Sequence, residues 1–117
     1  IRAMTPELLF DYLAVRLNAD KASGKVLTIN VDFTDINSHH SLTVENAVLN
    51  HTHKQAKNPD VGVSMAMDTM HSIQLNELTF DDAIKNGTVK LTGDKAVFDS
   101  FLEMLDSYNF WFNIVTP

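Results

Sequence analysis

Asp60-Val61-Gly62-Val63-Ser64-Met65-Ala66-Met67-Asp68 opens the stretch that decides the fold, and that stretch runs on to Leu105. Val61, Val63, Met65 and Met67 alternate with Gly62, Ser64 and Ala66. A period of two puts large apolar residues on one face of a strand and small ones on the other. Asp68 then reads as an N-cap, and Met70, Ile73 and Leu78 form the apolar side of a short helix. Thr79 starts a second helical turn, with Asp82 three residues on as a variant of the capping box. Gly87 closes that turn as a C′ glycine. Residues 88–92 read as a short strand. Gly93-Asp94 ends it and caps a last helix, whose Phe98, Phe101, Leu102 and Leu105 fall at i, i+3, i+4 and i+7.

Outward from this stretch, Thr5-Pro6-Glu7 is a helix start: a hydroxyl at the N-cap, proline at N1 and an acid in the first turn. Leu9, Leu13 and Leu17 repeat every four residues, with Tyr12 beside them and Asp11 and Asn18 off the stripe. Gly24 is expected to end this helix. Residues 25–34 form the cleanest strand pattern, with Leu27, Ile29, Val31 and Phe33 on one face and Thr28, Asn30 and Asp32 on the other. Residues 35–38 read as a turn, 40–45 and 48–53 as a hairpin around Asn46-Ala47, and 55–59 as a polar loop.

The 117 residues make one domain, residues 1–117, without internal repeats or linkers. A chain of this length buries roughly two-thirds of its unfolded surface. A formal charge of −6 without a basic stripe argues against nucleic acid and gives no attraction to an anionic membrane. The absence of cysteine removes disulfides and thiolate chemistry. No apolar run reaches the length of a membrane span. The chain opens on Ile1, which points to a piece of a longer protein. Asn50 and Asn86 begin glycosylation tripeptides, a common chance pattern. The tail Tyr108-Asn109-Phe110-Trp111-Phe112-Asn113-Ile114-Val115 concentrates aromatics that need cover, either on this domain's own core or on another domain.

The ordered run of elements resembles the sterol carrier protein type two fold. Gly87-Thr88-Val89-Lys90-Leu91-Thr92-Gly93-Asp94 carries its strand between glycines, and residues 98–105 its last amphipathic helix. Two further segments narrow the resemblance. Ile1-Arg2-Ala3-Met4-Thr5-Pro6-Glu7-Leu8-Leu9-Phe10-Asp11-Tyr12-Leu13 and Phe110-Trp111-Phe112-Asn113-Ile114-Val115-Thr116-Pro117 look like the first helix and the end of the C-terminal domain of bacterial alkyl sulfatases. The resemblance implies an α+β fold with a curved, mostly antiparallel five-stranded sheet and helices on one face. It also implies an accessory role. In that family a metallo-β-lactamase-like domain with two zinc ions hydrolyses alkyl sulfates such as dodecyl sulfate, and a helical dimerisation domain follows. The terminal domain helps to hold the aliphatic chain.

The expectations that follow are these. The domain is no enzyme and has no cofactor of its own, zinc belonging to the parent's catalytic domain. Its partners are an aliphatic or amphiphilic small molecule and the catalytic domain of the same polypeptide, in a homodimeric bacterial parent that is periplasmic or secreted. The competing reading is a structural domain that shields or supports the catalytic domain. The zinc motif of the His-x-His-x-Asp-His kind is absent, since His51-Thr52-His53-Lys54 carries only its first spacing.

Candidate site residues can be named. Met65, Met67 and Met70 suit either a core or an adaptable wall for an alkyl chain, because thioethers repack easily. With Ile73, Leu78, Phe101, Leu105 and Trp111 they make the expected apolar pocket, although the last helix's stripe also reads as plain core. Asp81-Asp82 and Asp32 with Asp35 are explained by helix polarity and solvation. No nucleophilic serine motif is present. If Asn46-Ala47 forms the turn, Leu42 faces His51 and His40 faces His53 on the core side, while His39 points away. Alanine at positive φ costs about 1 kcal/mol, so this register is conditional. The simplest reading of His40, His51 and His53 is three imidazoles solvated at the sheet margin. Contact with an anionic head group and metal binding are the alternatives, the latter short of a third ligand because no carboxylate is placed by the pattern.

Overall fold

A computed structural model describes residues 5–106. The tail with Trp111 and the segment before Thr5 lie outside the described residues. The order is α1 (Pro6–Arg16), α2 (Ala19–Ala22), β1 (Leu27–Phe33), β2 (Ser38–Glu45), β3 (Val48–Thr52), β4 (Val61–Met65), α3 (Met67–Gln74), α4 (Phe80–Lys85), β5 (Lys90–Gly93) and α5 (Lys95–Glu103). One five-stranded sheet has the order β3-β2-β1-β4-β5. Its pairs are antiparallel except β1 with β4, which run parallel. This is the expected α+β class.

The alternation in β1 is realised as drawn from the pattern. Leu27, Ile29, Val31 and Phe33 are buried, and the residues between them are half-exposed. Val61, Val63 and Met65 extend the same inner face, and α1, α3, α4 and α5 cover it with Leu9, Phe10, Leu13, Met70, Ile73, Phe80, Phe98 and Phe101. The small residues of β4 stand on the opposite face. A side chain at Gly62 would meet the Thr92 hydroxyl at 2.6 Å.

The caps explain where the elements begin. Thr5 accepts from the Leu8 N–H at 3.3 Å, Thr79 from Asp82 at 3.0 Å, and Asp94 from Ala96 at 2.9 Å. Gly93 combines φ +88° with a neighbouring carbonyl, that of Asp60, 2.6 Å from where a Cβ would sit. No other residue fits there.

Several boundaries differ from the sequence reading. The first helix stops at Arg16 rather than near Gly24, because Asn18 takes extended backbone and caps a separate turn, α2, by accepting from Lys21 N–H at 3.1 Å. Asp68 does not cap α3. That helix starts two residues earlier than an Asp68 cap implies, at Met67 after an Ala66 N-cap, so Met67 belongs to the helix and not to the strand. Its cap comes from the β1–β2 turn: the Asp35 carboxylate accepts from the N–H of Met67 at 2.7 Å and of Asp68 at 3.3 Å. The last strand is β5 (Lys90–Gly93), two residues shorter at its start than expected. Leu105 lies beyond α5, where it forms an isolated antiparallel bridge with Leu17.

Candidate functional site

Two regions meet at Phe10. The first is an apolar cavity between the sheet and the helices. It measures about 40 Å³, and every residue lining it is apolar. Sheet residues Ile29, Val31, Phe33, Leu42, Val63 and Met65 form its floor. Leu9, Phe10 and Leu13 of α1, Met70 of α3, Phe80 of α4 and Phe98, Phe101 and Leu102 of α5 form its roof. A water molecule takes about 30 Å³ in the liquid, and drug-sized ligands occupy roughly 300–1,000 Å³. The cavity is therefore a small apolar hollow, well below the volume a long alkyl chain fills.

Of the residues expected to line a pocket, Met65, Met70, Phe101 and Leu105 do so. Met67 and Ile73 are buried in the core but do not line the cavity, and Leu78 packs half-buried against the core without lining it. Trp111 lies outside the described residues. Helical spacing identified the apolar side of α3, but not which of its residues points at the void.

The second region is built on the β2–β3 hairpin. Asn46 and Ala47 both adopt positive φ, at 55° and 61°, so this is a two-residue turn of the type I′ kind despite its alanine. The register follows: Glu45 faces Val48, Val44 faces Leu49 and Leu42 faces His51. His40 and His53 are neighbours across the strands, with ring centroids 4.7 Å apart. His39 points to the other face, where it contacts Asp32 at 2.5 Å and Asn37 at 3.1 Å.

The three imidazoles are not equally solvated, which corrects the simplest sequence reading. His40 is fully buried, with 0% of its surface exposed, between Phe10 and Phe33 at centroid distances of 5.1 and 6.0 Å. His51 is half-buried and packs on Phe10 at 5.3 Å, and His53 is exposed. Burial holds His40 below the ordinary imidazole pKa, and the adjacent His53 adds to the effect.

Carboxylates are present too, contrary to the expectation that none is placed there. Glu7 contacts His53 Nε2 at 2.6 Å, and Asp11 contacts His51 Nε2 at 3.0 Å. Both come from α1, which lies against β3. The match is one of pitch. Four helical residues rise about 6 Å, and two strand residues rise about 6.6 Å. Acids at i and i+4 on the helix therefore meet histidines at j and j+2 on the strand in pairs. Glu7 is held below the ordinary carboxylate range, chiefly by a hydrogen bond from its own backbone N–H, with His53 adding to it. Sequence reasoning took Glu7 for a first-turn acid and left Asp11 off the apolar stripe. The matched spacings of Glu7/Asp11 and His51/His53 were the available signal.

Comparison with known proteins agrees with this architecture. The alkyl sulfatase C-terminal family model matches residues 1–117. A linear primary-alkylsulfatase from Pseudomonas sp is 41% identical over the whole of this chain, and an (R)-specific secondary-alkylsulfatase from Pseudomonas sp is 42% identical over 99% of it. This chain spans 18% of the length of each. Among solved structures, a stereoselective inverting sec-alkylsulfatase from Pseudomonas sp superposes with a TM-score of 0.84 at 40% identity, over 99% of this chain and 18% of that one. A palmitated SCP2L2 from Aedes aegypti superposes at 0.62 with 22% identity, over 86% of this chain and 93% of that one, which shows the shared fold. The chain thus belongs to the alkyl sulfatase C-terminal family and has the sterol carrier protein 2 fold.

Proposed function

We propose that this domain binds long aliphatic chains, such as those of dodecyl sulfate and related alkyl sulfates, as the accessory C-terminal module of a zinc-dependent alkylsulfatase. The observation that carries the proposal is the cavity walled only by apolar side chains, two of them methionines, at the interface of sheet and helices. Family membership supplies the class of substrate, and the palmitated neighbour of like fold supports an acyl or alkyl occupant. In this reading hydrolysis and zinc belong to another part of the polypeptide, which is homodimeric, bacterial like its two Pseudomonas relatives, and periplasmic or secreted. Flexible thioethers and a small initial void suit a site that opens to fit its ligand.

Calorimetry with a non-micellar C10 to C14 alkyl ligand tests the proposal. Because the pocket must open, affinity is expected in the micromolar range or weaker, with Kd on the order of 1 μM or above. A polar substitution, Met70→Gln, is expected to weaken binding by more than it lowers stability. No heat and no shift in melting temperature would instead favour a structural domain that supports its catalytic neighbour. Added zinc and dodecyl sulfate are expected to give no sulfate release above the protein-free control.

A further inference from the structure

We propose that Glu7, His40 and His53 form a binding site for a divalent transition-metal ion, with zinc as the best fit, joining the first turn of α1 to the open end of the β2–β3 hairpin. This goes beyond the alkyl-chain reading and does not rest on it. Each of the three residues offers one ligand atom, and these atoms lie within 4.8 Å of one another. Two imidazoles and a carboxylate are a donor set that suits zinc and its neighbours in the first transition row and leaves a fourth position open. Magnesium and calcium prefer oxygen ligands throughout.

A second observation points to a missing partner. His40 is wholly buried, and among the described residues its Nδ1 has no hydrogen-bond partner. Buried polar atoms are nearly always satisfied, so a lone ring nitrogen among Phe10 and Phe33 calls for a ligand. The other nitrogen, Nε2, contacts the Ser38 hydroxyl. Such a contact is what orients a metal-binding imidazole. His40 is thereby the fixed ligand. His53 and Glu7 are the adjustable ones, with side chains 68% and 45% exposed. Tetrahedral zinc with bonds of about 2.0–2.2 Å needs ligand atoms roughly 3.3–3.6 Å apart. Rotation of the two exposed side chains brings them toward His40 and replaces their direct 2.6 Å contact with bonds to the ion. With two of the three ligands exposed, a water would complete the shell. The ion would act as a clamp between helix and hairpin.

The test uses this chain, free of any histidine tag and stripped with a chelator. Cobalt(II) is titrated as a spectroscopic probe and zinc by calorimetry and thermal melting. One ion per chain is expected, with a visible cobalt spectrum of four-coordinate type and a higher melting temperature with zinc. His53→Ala and Glu7→Gln change exposed groups, so both variants are expected to fold, and each should weaken binding about tenfold or more and lose the cobalt spectrum. His39→Ala, on the opposite face, should leave binding unchanged. Wild-type protein that binds no cobalt or zinc, or binding that survives both His53→Ala and Glu7→Gln, overturns the proposal.

Discussion

The cavity and the histidine row lie on either side of one ring, Phe10, and are opposites. The cavity has space and no polar atom to orient a ligand. The row has oriented polar groups and no apolar hollow: its outer imidazoles are paired with carboxylates, at 2.6 Å for Glu7 with His53 and 3.0 Å for Asp11 with His51. One helix serves both, giving Leu9, Phe10 and Leu13 to the cavity and Glu7 and Asp11 to the row. The difference teaches how an amphipathic helix divides its labour. Its apolar stripe makes a wall that can deform, because dispersion and burial have no preferred direction. Its polar edge makes contacts that depend on direction and distance.

The contrast is tested most strongly at the cavity. Phe101→Ala removes a buried ring from its wall and is expected to destabilise the fold by about 3–5 kcal/mol in chemical denaturation. The same variant should recover more of its melting temperature with a non-micellar alkyl ligand than the wild type gains. A loss without recovery would mean that the void is ordinary packing. Asp35→Ala comes next. It strips the cap from α3, the helix that brings Met70 to the cavity, and should cost about 1 kcal/mol.

Acid separates the two regions further. The backbone N–H of Met67, and then that of Asp68, hold the Asp35 carboxyl below its ordinary value of 3.8. Its contribution is complete above that value and is lost as pH falls through the lower folded-state value. Burial holds His40 below 6.5, so the unfolded chain takes up that proton first, and stability declines as pH drops below 6.5. A melting scan against pH should show both windows in the wild type. Asp35→Asn should flatten the more acidic window and leave the upper one.

Ala47→Gly relieves an alanine at positive φ in the hairpin that carries His51 and His53, and should stabilise by up to about 1 kcal/mol. The smallest effect is expected at the exposed end of the row. Without metal, His53→Ala should change stability by no more than about 0.5 kcal/mol, as exposed ion pairs contribute little. A larger loss would show that the Glu7–His53 contact is itself structural.

Much of this was legible in the sequence where a feature is local. The alternation of β1 and β4, the Thr79 and Asp94 caps, the glycines after α4 and at the end of β5, and the hairpin register all depend on residues within a few positions of one another. The misses depend on distance along the chain. Asp68 looked like the cap of α3 because the true cap, Asp35, is brought in by folding of the β1–β2 turn. Gly24 looked like the end of α1 because the stop at Asn18 is set by a contact with the far end of the chain. The Asn18 N–H donates to the Met104 carbonyl at 2.8 Å, and its side-chain amide donates to Asp106 at 2.8 Å. Glu7 and Asp11 became part of a site only once α1 was laid along β3.

The single parallel pairing has a kinetic consequence. Strands β1, β2 and β3 form a local meander, whereas Ile29 meets Val61 only after the chain between them has closed into a loop. Three side chains stitch this one seam. Asn30 exchanges two hydrogen bonds with the Ala56 backbone, at 2.8 and 2.9 Å. Asp60 accepts from Thr28 N–H at 2.8 Å, and Asp35 holds the start of α3. Loop closure has an entropic cost before any such contact can form, so these stitches are expected to form late on the folding route. Loosening them should leave the rate of folding nearly unchanged and hasten unfolding, so that the seam sets how long the native state lasts rather than how quickly it is reached.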